Sequence, residues 1–197
     1  MRRRELGAGE SMEVRELSES EVTGELDRQI LEIQHLAFSH TAEFSSQRWW
    51  HTPSRPEDRW FLVFDGPRLI GNVRLVHRTI GTAGGPRSVG GVANVCSHPD
   101  ARGSGAAKAA MQAAGAYIAR NVDFGLLWCG AKVHDFYGRL GWADITDPMS
   151  MIHPDGHHGL ATRSADSYMM IYPGRCGLDQ WPAGPIDLNG QDRKSVV

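Results

Sequence analysis

The chain has 197 residues, which fits one domain, and its 41% apolar and 22% charged residues are those of an ordinary soluble globular protein. A formal charge of -2 excludes nucleic acid as the main partner, since phosphate binding needs a basic surplus. No apolar run approaches the roughly 18–20 residues of a membrane span, so no membrane is expected.

In chain order, Arg2-Arg3-Arg4 is followed by Glu5 and Glu10 rather than by an apolar run, so it does not read as a signal peptide. Residues 1–11 are expected to be a disordered extension, 12–190 a single domain, and 191–197 a polar tail. Residues 12–17 alternate apolar and polar, a strand pattern, and Leu26, Ile30, Ile33 and Ala37 recur at helical spacing over 21–38. Residues 39–58 are irregular, with Trp49, Trp50, Pro53 and Pro56. Such a long connector often carries binding groups. Two strands, 59–65 and 69–80, flank the turn signal Asp65-Gly66-Pro67, and 88–97 is a third beyond Gly84-Gly85-Pro86. Glycines 90 and 91 permit a bulge or a close backbone approach there. An alanine-rich helix over 104–120, a buried strand over 124–129, a short helix over 131–140 ending at Gly141, and strands over 149–153 and 167–172 around a Gly/His-rich loop complete the pattern. This order predicts an α+β fold with an antiparallel meander and a strand–helix–strand crossover.

Cys96, Cys129 and Cys176 are far apart, with no CxxC pair or disulfide framework, which points to a reducing cytoplasm. Cys129 lies in an apolar strand and reads as core. His153, His157 and His158 have no cysteine or acidic partner at ligand spacing, so no metal is expected.

The most informative segment runs from Val95 to Ala107 (VCSHPDARGSGAA). A helix N-terminus offers unpaired N–H groups and partial positive charge, Gly103 and Gly105 remove obstructing side chains, and Arg102 adds a cation. Alone, this turn is either a diphosphate site or a plain helix start. Together with Phe136-Tyr137-Gly138-Arg139-Leu140-Gly141-Trp142 about 30 residues on, it resembles the paired signature of the GNAT acyltransferase superfamily. The resemblance implies a GNAT fold with a mixed, mostly antiparallel sheet, acetyl-CoA as co-substrate, and frequently a homodimer. Val95, Cys96, Ser97, Arg102, Gly103, Ser104, Gly105, Ala106 and Ala107 would then form the coenzyme site. Backbone groups at Val95 and Ser97 would hold the pantetheine arm, with a strand N–H stabilising the oxyanion. Tyr137, with an ordinary pKa of about 10, would be the general acid for the departing thiolate.

Over about 12–184 the chain is further similar to the aminoglycoside 2′-N-acetyltransferases, including their kasugamycin-modifying branch. The shared residues are Thr41-Ala42-Glu43-Phe44…Trp49, His77–Ile80, the Arg-Gly loop, the Tyr…Gly-Trp segment and Trp181–Gly184. The ending Trp181–Gly190 is similar to the nodulation N-acyltransferases. These resemblances imply a small-molecule acceptor, a cationic amino sugar, bound by Glu43, Asp166, Asp179 and Trp181, and an antibiotic-resistance activity. The family's Asp-Trp pair is here interrupted as Asp179-Gln180-Trp181. Where those enzymes carry a glutamate on the motif strand, this chain has Ala93. The general base is then Glu43, His77 or a water relay to a backbone carbonyl. Trp49 and Trp50 either wall the cleft or fill the core. Transfer of a longer acyl chain to an oligosaccharide amine, and a non-catalytic coenzyme-binding module, are the alternatives.

Overall fold

The computed structural model describes residues 12–38, 55–145 and 167–188, together with the backbone of 149–152 and 158–161. Strand β1 (Glu13–Ser18) leads through a short 3-10 turn to helix α1 (Glu25–Ala37). Strands β2 (Arg59–Asp65), β3 (Arg68–Ile80) and β4 (Arg87–Ser97) form the expected antiparallel meander. Helix α2 (Ala106–Asn121) crosses over to β5 (Phe124–Gly130), which lies parallel to β4. Then come helix α3 (Ala131–Gly138), β6 (Ala143–Asp144), β7 (Met149–Ile152), β8 (His158–Ala161), β9 (Ser167–Pro173) and β10 (Ile186–Asp187). The main sheet has the order β1-β2-β3-β4-β5-β9-β6, and β10-β7-β8 form a small second sheet.

Compared with the sequence reading, the first helix begins four residues later, after a 3-10 turn at Glu19–Glu21. Gly24 at φ 56 precedes it, a conformation the helical ladder cannot include. Helix α3 is two residues shorter, because the chain tightens through Leu140 N–H to Tyr137 O and Gly141 N–H to Gly138 O. The region read as a Gly/His loop contains β8, and β6 and β10 are additional short strands. The N-terminal extension, the connector holding Trp49 and Trp50, and the polar tail lie outside the described residues.

Helix α2 buries Ala106, Ala110, Met111, Ala114, Gly115, Tyr117 and Ile118, one stripe at helical spacing. Its small residues let the axis sit low on the sheet: a Cβ on Gly71 of β3 would stand 3.1 Å from that of Ala106. This face holds Phe61, Val63, Val73, Leu75, Leu127 and Met170 against α2 and α3. On the opposite face Ile30 and Ile33 of α1 pack on Trp60, Leu62, Phe64 and Cys96. Each fully buried aliphatic side chain contributes about 1.5–3 kcal/mol.

A charge lies within that second face. Arg74 and Asp58 are 1% and 0% exposed, and Arg74 donates to Asp58 Oδ2 at 2.7 Å. Asp58 Oδ2 also accepts from Arg55 N–H at 3.2 Å, and its Oδ1 from His77 N–H at 3.0 Å. The carboxylate thus ties the β2 entry to β3.

Candidate active site

Strands β4 and β5 pair only at Val89–Phe124, Gly90–Gly125 and Gly91–Leu126. Beyond those pairs β4 continues to Ser97 and β5 to Gly130, so two arms of a parallel pair part from each other. The cause is local. Between Asn72 and Arg74 of β3 the register to β4 slips by one residue, and Asn94 is the extra residue, at φ 52. Asparagine visits this left-handed region more readily than other non-glycine residues. The fully buried Asn72 holds the bulge in place, its Nδ2 donating to Asn94 O at 2.7 Å. A bulge bends its strand, and here it bends β4 out of register with β5. The bulge therefore falls at Asn94 and not at Gly90 or Gly91. Gly90 instead serves a close approach, since a Cβ there would stand 2.9 Å from Leu75 Cδ1.

Val95, Cys96 and Ser97 lie on the freed β4 arm. Val95 packs toward α2, whereas Cys96 faces Asn72 Oδ1 at 3.1 Å and is buried. Burial pushes the Cys96 thiol up to about 12, so it is no thiolate nucleophile at neutral pH. The arm ends in the turn Pro99–Ala101, followed by Arg102, Gly103 at φ 84, Ser104, and Gly105 at φ 93 as the N-cap of α2. The N-cap Gly105 has no side chain with which to cap this helix. Ala106 N–H reaches Ser104 Oγ at 3.3 Å, but the N–H groups of Gly103, Gly105, Ala107 and Lys108 donate to no acceptor among the described residues. Arg102 and Lys108 are exposed beside them. Both positive-φ glycines leave room: a Cβ would meet nothing within 4 Å at Gly103, and only Met12 Cε at 3.9 Å at Gly105. Unpaired amides, a helix dipole and two cations suit the diphosphate of a coenzyme.

Tyr137 comes from α3 and packs into the same cluster as Ala106 and Ala110 of α2. It is 8% exposed, with Phe136 at 5.1 Å and Trp142 at 6.4 Å between ring centroids. Burial raises its pKa above the ordinary phenol value, and the nearby Cys129 raises it further, so the phenol keeps its proton at neutral pH. Its oxygen makes no hydrogen bond among the described residues. Beside it, His134 Nε2 meets Asp144 Oδ1 at 2.7 Å, fastening α3 to β6. This contact raises the His134 pKa.

Trp181 packs edge-on against Phe124, 5.0 Å between centroids, at the closed end of the parting strands, and its buried Nε1 has no partner among the described residues. Asp179 is exposed in the preceding 3-10 turn. Glu43 and Asp166 lie outside the described residues. His77 packs edge-on against Tyr117 of α2, 5.6 Å between ring centroids, with its Nε2 buried and its pKa lowered by burial. It pairs with Gly90 in the closed part of the sheet, away from the freed arms. A separate cavity of about 260 Å³ is lined by Arg28, Gln29, Glu32, Arg68, Leu69 and His98. Neither α2 nor β5 lines it, so it is not the gap between the arms.

Residues 13–145 match the acetyltransferase (GNAT) domain family. The chain belongs to the GNAT acetyltransferases. Its GNAT fold is shared with ElaA of Escherichia coli (TM-score 0.60, 13% identity, covering 82% of this chain and 99% of that one). An acyl-CoA N-acyltransferase from Pseudomonas aeruginosa is similar at TM-score 0.56 and 16% identity, over 82% and 99% of the two chains. A putative N-acetyltransferase from Lactobacillus plantarum is similar at TM-score 0.57 and 13% identity, over 83% and 98%. No protein of curated function matches the sequence. As a GNAT N-acetyltransferase, the protein uses acetyl-CoA and modifies an amine. Among the described residues no cluster is placed to hold a metal ion, and no helix is long and apolar enough to cross a membrane.

Three features of this region go beyond what the sequence patterns announce: the bulge at Asn94, the Asp58–Arg74 pair and the His134–Asp144 contact. The first two left a trace, an asparagine inside the strand VGGVANVC and an arginine inside LIGNVRLV. The third had none, since His134 and Asp144 look like ordinary surface residues until α3 folds onto β6.

Proposed function

We propose that this acetyltransferase modifies an amino group of a cationic amino sugar, the 2′-amine of an aminoglycoside such as kasugamycin, and thereby confers resistance to it. The observation that carries the transfer chemistry is the bulge-opened gap between β4 and β5, with the unpaired amides of α2 at its mouth. The sugar is supported by the similarity of His77–Ile80, Tyr137…Trp142 and Trp181–Gly184 to the aminoglycoside 2′-N-acetyltransferases.

In this reading the amides of Gly103, Gly105, Ala107 and Lys108, with Arg102, hold the diphosphate, while Ser104 and Ala106 shape the turn. The main chain at Val95, Cys96 and Ser97 pairs with the pantetheine arm. Acetyl-CoA supplies an activated thioester carbonyl. Holding the amine in line with it removes most of the entropic part of the barrier. Tyr137 Oη delivers a proton to the leaving sulfur. Ala93 offers no carboxylate and His77 lies under α2, so the ammonium loses its proton to Glu43, or to solvent through a water that a β4 carbonyl orients. Asp179, Asp166 and Trp181 complete the acceptor side. We further propose a cytoplasmic location and a homodimer.

The test is to mix the protein with acetyl-CoA and kasugamycin or kanamycin, following coenzyme A release and the mass gain of one acetyl group. Absence of acetylated sugar across such a panel refutes the amino-sugar reading.

A further inference from the structure

Side-chain alternation along β5 decides where Trp128 stands. Leu127 and Cys129 enter the cluster beneath α2 and α3, whereas Phe124 and Leu126 belong to the opposite face with Met169 and Ile171. Trp128 shares the parity of Phe124 and Leu126 and so leaves on that opposite face. Phe124 is fully buried there, but Trp128 is 48% exposed, although β5 is an interior strand of the sheet. The difference follows from the parting of the strands. Pairing with β4 stops at Gly91–Leu126, so no β4 residue is paired with Trp128, while Ala93, paired with Arg74 of β3, takes the same face of the sheet on the β4 arm. The indole therefore stands exposed at the gap, on the face of the sheet that the one-carbon side chain of Ala93 takes on β4.

Neither freed arm carries a carboxylate, since β4 reads VANVCS from 92 to 97 and β5 reads LWCG from 127 to 130. From these two arms a protonated amine meets an aromatic face and main-chain carbonyls, not a carboxylate. Indole is the side chain best suited to a cation over its face, and it also packs against the apolar face of a ring. Trp181 does not compete for this role. It lies against Phe124, four residues or about 13 Å back along β5.

We infer that Trp128 is the specificity-determining platform of the acceptor site, its indole face receiving the cationic, ring-bearing amine on the side of the sheet it shares with Ala93. The inference rests on the functional reading above and adds a residue that the aminoglycoside resemblance does not assign.

The test compares wild type, Trp128→Ala and Trp128→Phe as full chains, with kasugamycin, kanamycin and spermidine as acceptors. Trp128→Ala should raise the acceptor KM about two- to thirtyfold, the range of a cation–π contact. The acetyl-CoA KM should stay within about twofold, because the lost contact is to the acceptor alone. Trp128→Phe should recover most of the loss. An unchanged acceptor KM, or both KM values rising together, overturns the proposal. So does a change of sedimenting species in Trp128→Ala, which would place the indole in a subunit interface. The two readings fail separately. Wild type that acetylates spermidine but neither sugar removes the amino-sugar reading, and the Trp128 comparison is then made on spermidine. Wild type that acetylates a sugar, with a KM untouched in Trp128→Ala, removes only the platform. Turnover of none of the three overturns both.

Discussion

Replacing Asp58 by alanine should destabilise the protein more than any other single change near the site. The carboxylate is fully buried and accepts three hydrogen bonds, from Arg74 at 2.7 Å, His77 N–H at 3.0 Å and Arg55 N–H at 3.2 Å. Its removal takes from the guanidinium of Arg74, 1% exposed, the buried carboxylate it meets at 2.7 Å. Breaking one partner of a buried pair costs about 3–5 kcal/mol. For a chain of this size each kcal/mol corresponds to about 2–4 °C in Tm, so the expected drop is about 6–20 °C. Urea and thermal unfolding of wild type and variant measure it directly. By the same reasoning, Asp58→Leu with Arg74→Met should recover part of the loss, since it removes both desolvated charges of the pair. A loss below about 1 kcal/mol, or a double variant no better than Asp58→Ala, refutes it.

The site gives three further expectations. Gly105→Val forces a β-branched residue to φ 93 and adds bulk to the amide cradle. A cost of about 1–2 kcal/mol should appear as roughly a tenfold rise in the acetyl-CoA KM. Tyr137→Phe removes a phenol that makes no hydrogen bond among the described residues, so kcat should fall about a hundredfold. Its unfolding free energy should stay within about 0.5 kcal/mol, as a single urea titration will show. His134 has a folded pKa raised above 6.5, first by the Asp144 hydrogen bond. Its contribution to stability is thus full below the unfolded value and fades as pH rises through the folded one. His134→Gln should lower the urea midpoint at about pH 5.5 and leave it unchanged at about pH 9.

Much of this protein was legible from its sequence because the relevant signals are local. The meander was written in alternating apolar residues and the turn Asp65-Gly66-Pro67, and the crossover in an alanine-rich stretch between two strands. The glycines that precede α2 are there because the chain takes φ 84 and φ 93, angles that favour glycine wherever they occur. An unpaired helix N-terminus belongs to one segment and needs no partner to be recognised.

What the tertiary structure decided is what depends on two segments at once. Whether Asn94 is a strand residue or a bulge follows from the count of β3 residues opposite it and from Asn72 reaching its carbonyl. Whether Trp128 is core or cleft follows from how far β4 accompanies β5, which no pattern within β5 records. Arg74 could be noticed as a charge in an apolar strand, but its acceptor, 16 residues away, is chosen by the packing of β2 on β3. Local sequence sets backbone preference and the parity of side chains. The chemistry of a face is set by what is absent or present across from it, and only the folded chain supplies that.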